Sequence, residues 1–251
     1  MQLSRLARRC HCSGMGLRWR REPVSRRLAV AGLGEEEAAW WLNPTLIDSI
    51  HSAIRRVRSE ASSSSSSALI TTAQGKFFSN GYDLDWVGSS QTRGPLLESK
   101  LKPLIADLIS LPLPTIAAVS GHASAAGFIL ALSHDYVLMR KDRGFIYMSE
   151  LDIRLPISTW VVALIKCKVG APATRRLLLL TAAKVTAKDA MEKGIIDSAH
   201  DSAESTVKEA VGLAEKLVER KWDGDVYAQI RMELFSEVLG QIRVDNCASR
   251  L

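Results

Sequence analysis

Two segments of this 251-residue chain are built to one plan. Residues 68–86, ALITTAQGKFFSNGYDLDW, and residues 115–136, TIAAVSGHASAAGFILALSHDY, each pass from an apolar, β-branched stretch through small residues into a helix-like stretch. Such a short apolar run suits a strand buried on both faces, which requires helices on either side of a parallel sheet. Small residues at the junction let another group approach the backbone closely. The N–H groups that open a helix have no partner within it and carry partial positive charge. Two such N–H groups converging on one point would make an oxyanion hole. Close packing of helix on sheet would use the same small residues, so composition alone leaves both readings open.

The alternation extends along the chain. LNPTLIDSIHSAIRRVR (42–58) has helical apolar spacing behind a proline suited to a first turn. Six serines at 62–67 read as a loop. SKLKPLIADLIS (99–110) reads as a helix, with Pro103 expected in its first turn. TIAAVS (115–120), DYVLM (135–139) and GFIYM (144–148) read as strands, and SAAGFILALS (124–133) as a buried helix. Residues 170–180 and 186–193 read as helices, the second with Thr186 and Asp189 as a capping pair and Gly194 as its stop. Residues 203–220 and 224–240 read as two amphipathic helices. The expectation is an α/β core over 34–200 and a helical region over 201–251.

Residues 1–33 are expected to stand apart as a basic, disordered segment. They hold eight arginines and a single acid, Glu22, a net +7. The whole chain carries +6, so the other 218 residues carry −1. The basicity belongs to one end and gives no ground for nucleic-acid binding. The apolar runs fall far short of the roughly 18–20 residues that span a bilayer. Cys10-His11-Cys12 lacks the second ligand pair of a zinc site, and no metal is expected. The chain has no G-x-G-x-x-G, no G-x-x-x-x-G-K-[ST] and no G-x-S-x-G, so phosphate loops and a nucleophile elbow find no support. The Arg-rich start suits either a mitochondrial or plastid presequence or an unfolded tail. Ser249-Arg250-Leu251 resembles the peroxisomal S-K-L address, is more specific in form, and makes a peroxisomal import receptor an expected partner.

FFSNGYDLD, AVSGHASAAGF and LLLLTAAKVTAKDAMEKGIIDS, in that order, resemble the motifs of the crotonase (enoyl-CoA hydratase/isomerase) superfamily over about residues 42–240. KFFSNG, ALSHDY and YMSE resemble its plant peroxisomal Δ3,Δ2-enoyl-CoA isomerase branch. The resemblance implies a ββα spiral core with a C-terminal helical oligomerisation region, and a trimer or hexamer. It implies an acyl-CoA thioester substrate, with coenzyme A part of the substrate and no separate cofactor. Carried over by position, it puts the oxyanion donors on the backbone N–H of Tyr82 and Ala126. It puts acyl-CoA contacts at Ser79, Asn80, Gly81, Asp83, Leu84 and Gly127, with Asp83 holding the loop.

The hydratases of that family use two glutamates. The first falls here on Ile129 and the second on Glu150, so hydration is disfavoured and Glu150 is the expected single base. One base suffices to shift a double bond from position 3 to position 2, by taking a proton from C2 and returning it at C4. Other acyl-CoA reactions, hydration or thioester hydrolysis, stay open as alternatives. So does an inactive chain acting through oligomerisation, because at most 27–31 reads as a strand where the family opens with a hairpin. His122 and His134 have no Ser or Cys spaced for a triad, and His134 is expected to be structural. Lys76 and Arg154 read as solvated, or as contacts to CoA phosphates. Arg154 stands where the family usually has glycine.

Overall fold

The computed structural model describes residues 17–21, 27–33, 41–61 and 67–248. Two sheets order the described residues. The larger sheet runs β1 (Leu17–Arg21), β2 (Arg27–Leu33), β3 (Ser67–Ala73), β5 (Thr115–Val119), β7 (Tyr136–Arg140), β9 (Ser198–His200), parallel throughout except for the β1–β2 hairpin. The smaller sheet, β4 (Phe77–Ser79), β6 (His122–Ser124) and β8 (Ile146–Tyr147), is parallel. A large-sheet strand followed by a small-sheet strand occurs three times in succession. The first pair leads into α2 (Leu84–Val87) and α3 (Arg93–Ile109). The second leads into α4 (Ala126–Leu132), and the third into α5 (Thr159–Lys168). This is the ββα spiral that the resemblance implied.

The apolar strands are buried on both faces because both are covered. Ile70, Ile116, Ala118 and Leu138 pack with Ala210, Ala214 and Leu217 of α8 (Ala203–Glu219). The alternate residues Leu69, Ala117, Val119, Val137 and Met139 face the main core with α1 (Pro44–Ala61), α3, α4 and α5. Side chains alternate across a strand, so strands with two covered faces read as continuous apolar runs.

The basic segment departs from expectation. Residues 1–33 contribute two strands, not at most one, and β2 pairs in parallel with β3 through Leu28–Ala68 and Val30–Ile70. β5 occupies one edge of β3, and β2 satisfies the other. LRWRR is a period-two alternation hidden beneath an arginine-rich composition. Cys10-His11-Cys12, most of the serine run and Ser249-Arg250-Leu251 lie outside the described residues.

Three helices also differ from the sequence reading. α3 begins at Arg93, so Pro103 lies inside it and not in its first turn. α5 was not anticipated, because TWVVALIKCK is apolar nearly all round and shows no stripe. The helix expected at 224–240 is two helices, α9 (Gly224–Leu234) and α10 (Ser236–Ala248). Phe235 breaks it and is buried with Val238, Leu239 and Ile242 in the main core. Between α5 and β9 lie α6 (Pro172–Leu180) and α7 (Ala187–Glu192), the latter capped by Thr186, whose hydroxyl accepts from the Asp189 N–H.

One buried ionic group ties the tail to the sheet. Asp135 accepts from the Thr115 N–H at 2.8 Å, the Tyr227 hydroxyl at 3.1 Å and Arg231 at 2.7 Å. Arg231, 4% exposed, also donates to the carbonyls of Ile109, Leu111 and Leu113. His134 is structural, as expected. Its Nδ1–H donates to the Leu130 carbonyl at 2.9 Å and its Nε2 accepts from the Thr71 hydroxyl at 2.8 Å.

Candidate active site

The first two turns of the spiral meet at Gly81 and Ala126. Gly81 has φ +84, which suits glycine. A Cβ there would lie 3.0 Å from the Ser124 carbonyl oxygen and 3.4 Å from the Ala126 nitrogen, so the two junctions touch. Leu42, fully buried, locks the 81–83 loop from behind. Its N–H donates to the Gly81 carbonyl at 2.7 Å, and its carbonyl accepts from the Asp83 N–H at 3.3 Å. With both neighbours turned toward Leu42, the Tyr82 N–H is turned the opposite way. It finds no acceptor among the described residues.

Ala126 opens α4, and its N–H is one of the orphan donors of a helix start. The residue before it, Ala125, sits at φ +46, ψ −124, a conformation that side-chain-bearing residues rarely adopt. Its own N–H donates to the Tyr147 carbonyl at 2.8 Å, which fastens the start of α4 to β8.

The other carried-over positions shape this junction. Gly127 has no room for a side chain, since a Cβ would lie 2.5 Å from the Ser79 oxygen. Ser79 is buried, and its hydroxyl accepts from the Gly81 N–H at 3.3 Å. Asp83 caps α2, accepting from the Trp86 N–H at 2.9 Å. Asn80 is half-buried and Leu84 is 40% exposed.

Glu150 follows β8 by three residues, and β8 pairs with β6 through Ser124–Tyr147. The carboxyl therefore leaves the sheet beside the strand that feeds α4. Its Oε2 is buried without a hydrogen-bond partner among the described residues. Burial pushes its pKa above the ordinary carboxylate value. The Tyr82 phenol is held well above the usual tyrosine pKa, first by burial, then by the charges of Glu98 and Glu150. The opening loop and Glu150 thus share one electrostatic environment. Ile129, one helical turn beyond Ala126, is buried and aliphatic, so α4 offers no carboxylate at that place.

The remaining candidates stand apart. His122 packs between Phe77 and Phe145, with ring centroids 5.1 and 4.2 Å away, and burial lowers its pKa, helped by Lys76, Arg143 and Lys184. Lys76 is exposed above the Phe77 ring. Arg154 is exposed at φ +58, the left-handed region, where glycine would be unstrained. Sequence reasoning did not single out Glu98. The only local signal is its i,i+4 pairing with Lys102, while its other partners lie about sixty residues away.

A family model described as enoyl-CoA hydratase/isomerase matches residues 26–237. The chain belongs to that family. Among relatives, "Enoyl-CoA delta isomerase 1, peroxisomal" of Arabidopsis thaliana is 56% identical over 212 residues, 84% of this chain and 86% of that protein. "Enoyl-CoA delta isomerase 2, peroxisomal" of the same plant is 48% identical over 221 residues, 85% of this chain and 89% of that protein. Among solved structures, a probable enoyl-CoA hydratase from Mycobacterium tuberculosis matches the fold with a TM-score of 0.80 at 21% identity. It covers 93% of this chain and 95% of that one.

Proposed function

We propose that this protein is an enoyl-CoA isomerase that converts a 3-enoyl-CoA into its conjugated 2-enoyl isomer, as fatty acid β-oxidation of unsaturated chains requires. The observation that carries this reading is Glu150, whose Oε2 is buried without a hydrogen-bond partner among the described residues, with Ile129 in place of a second acid. The two relatives named as enoyl-CoA delta isomerases support it.

In the proposed reaction, the thioester oxygen accepts from the N–H groups of Tyr82 and Ala126. This stabilises the enolate and acidifies the protons on C2. The Glu150 carboxylate takes a C2 proton, the C2–H electron pair becomes the C1=C2 bond of a dienolate, and the carbonyl π pair passes to the oxygen. The dienolate then collapses: the oxygen pair re-forms the C1=O bond, the C1=C2 pair becomes the C2=C3 bond, the C3=C4 pair takes the proton from Glu150 at C4, and the carboxylate is regenerated. No atom is gained or lost. A base whose pKa is raised toward neutrality suits both removal and return of the proton. The adenine of coenzyme A would lie near Ser79 and Asn80, and Asp83, by capping α2, holds the donor loop.

The test is conversion of a 3-enoyl-CoA by the purified protein, read as the absorbance of the conjugated thioester and by product mass. Glu150→Gln is expected to lose about 10²–10⁴-fold in kcat. Full activity in that variant, or a product heavier by one water, would sink the single-base reading.

An oligomer built through the C-terminal helices fits the exposed stripe Val226, Ile230 and Leu234 on α9, spaced four residues apart. Light scattering on the intact chain tests it. A peroxisomal location through Ser249-Arg250-Leu251 agrees with the names of the two relatives. A fluorescent fusion lacking those three residues should lose that location.

A further inference from the structure

Glu98 lies on α3, outside the residues that the reaction uses, and it reaches both sides of the site. Its Oε1 accepts from the Ser158 hydroxyl at 2.5 Å and the Trp160 indole N–H at 2.9 Å, and stands 3.3 Å from Lys102 Nζ. Ser158 and Trp160 close the loop that begins at Glu150. Residues 151–156 of that loop are exposed, and its internal bonds are backbone turns, such as the Leu155 N–H to the Glu150 carbonyl at 2.9 Å. Sheet pairing holds the loop at β8, and Glu98 holds its far end. Toward the oxyanion side, Glu98 is the first charge acting on the Tyr82 phenol, ahead of Glu150. Burial pushes the Glu98 pKa up, but the bonds from Ser158 and Trp160 and the Lys102 charge together bring it below its ordinary value. A carboxylate so held is an anchor and a poor proton shuttle.

We propose that Glu98 is a positioning residue: it fastens the loop carrying Glu150 to the helix that follows the Tyr82 loop, so that base and oxyanion donor keep one separation. This rests on the proposed isomerase reading. Glu98→Ala is expected to lower kcat about 10–100-fold with KM within about two-fold, because misplaced groups lose transition-state alignment more than binding. Glu98→Gln, whose amide oxygen can still accept both bonds, should recover most of the rate. It should also keep the acid limb of the pH profile at the wild-type position. Trp160→Phe should lose part of the rate alone and nothing further in the Glu98→Ala background. If Glu98→Ala does not fold, Trp160→Phe and Ser158→Ala remove the same bonds singly.

Full kcat in Glu98→Ala overturns the proposal. So does loss of both rate and acid limb in Glu98→Gln, which would make Glu98 itself a proton carrier. Amide hydrogen exchange over residues 149–158 reads the anchoring whatever the reaction, and it should speed up in Glu98→Ala. Unchanged exchange sinks the anchor, whereas a wild-type protein inert toward 3-enoyl-CoA sinks only the isomerase reading.

Discussion

The tightest point in the site is the contact of Gly127 with Ser79, and adding one methyl group there tests how the oxyanion loop is held. A Cβ at Gly127 would lie 2.5 Å from the Ser79 carbonyl oxygen, 2.6 Å from its Cβ and 2.7 Å from its Oγ. Ordinary contact begins near 3.4 Å, so Gly127→Ala must push the end of β4 back by nearly 1 Å. Ser79 is buried and its hydroxyl holds the Gly81 N–H, so the displacement passes to Gly81 and the Tyr82 N–H. Overpacking of this size costs about 1–3 kcal/mol, and removing a glycine from a helix returns up to about 1 kcal/mol. A net loss near 1–2 kcal/mol would lower the melting midpoint by roughly 2–8 °C in a chain of this size. Displacing a catalytic donor by about 1 Å is expected to cost on the order of 10²-fold in kcat. The assay pairs initial rates on a 3-enoyl-CoA with a thermal melt. Gly212→Ala in α8 serves as the control, since a Cβ there meets nothing within 4 Å. It should leave the rate unchanged and add up to about 1 kcal/mol of stability. A Gly127→Ala enzyme within about three-fold of wild-type kcat would refute the claim that this contact places an oxyanion donor.

Four further outcomes are expected. The rate should fall as pH drops through a Glu150 pKa lying above the ordinary carboxylate range, because the base must be ionised; a limb at or below that range would contradict its burial. The same raised pKa contributes stability that is lost as pH rises through it, so Glu150→Gln should be inactive yet more stable than wild type in neutral urea titrations. The buried His134 has its pKa lowered to about 4 by burial, so its contribution is full above about pH 6.5 and lost as pH falls toward 4. That loss amounts to about 3 kcal/mol, and denaturation midpoints of His134→Gln should vary less across this window. Ala125→Gly relieves a positive-φ alanine and should be neutral to about 1 kcal/mol stabilising after glycine's entropy cost, read by melting; clear destabilisation would mean that the methyl contact with the Gly81 loop outweighs the strain.

What the sequence disclosed was local. TIAAV reads as a doubly buried strand because both faces are covered, and Thr186 with Asp189 reads as a cap because that bond spans three residues. Gly81 and Gly127 are visible as small residues at a junction, yet their reason is a contact between segments over forty residues apart. The opening strands were obscured because arginine content masks a period of two. Arg93-Gly94-Pro95 does not look like a helix start, which hides the first turns of α3 and leaves Pro103 inside it, and α5 shows no periodic stripe because it lacks a polar face. Glu98 was illegible for the same reason as the Leu42 lock: each acts through partners about forty to sixty residues away, which no local pattern encodes.

In the proposed isomerase reading, the spiral divides the chemistry among its turns. The first turn supplies the Tyr82 N–H, the second the Ala126 N–H, and the third the carboxylate of Glu150. Each group stands just past a small-sheet strand, so pairing within β4, β6 and β8 sets their mutual spacing. A backbone donor depends on chain path and not on side chain, which is why alanines at 125 and 126 keep the second donor while adding strain at 125. A carboxylate does depend on the side chain. Placing a second acid one turn along α4, at Ile129, would put another charge in a buried setting, where like charges disfavour each other's ionisation. In that reading, the aliphatic residue there leaves Glu150 as the proton carrier, and a single carrier serving both C2 and C4 is what double-bond migration needs.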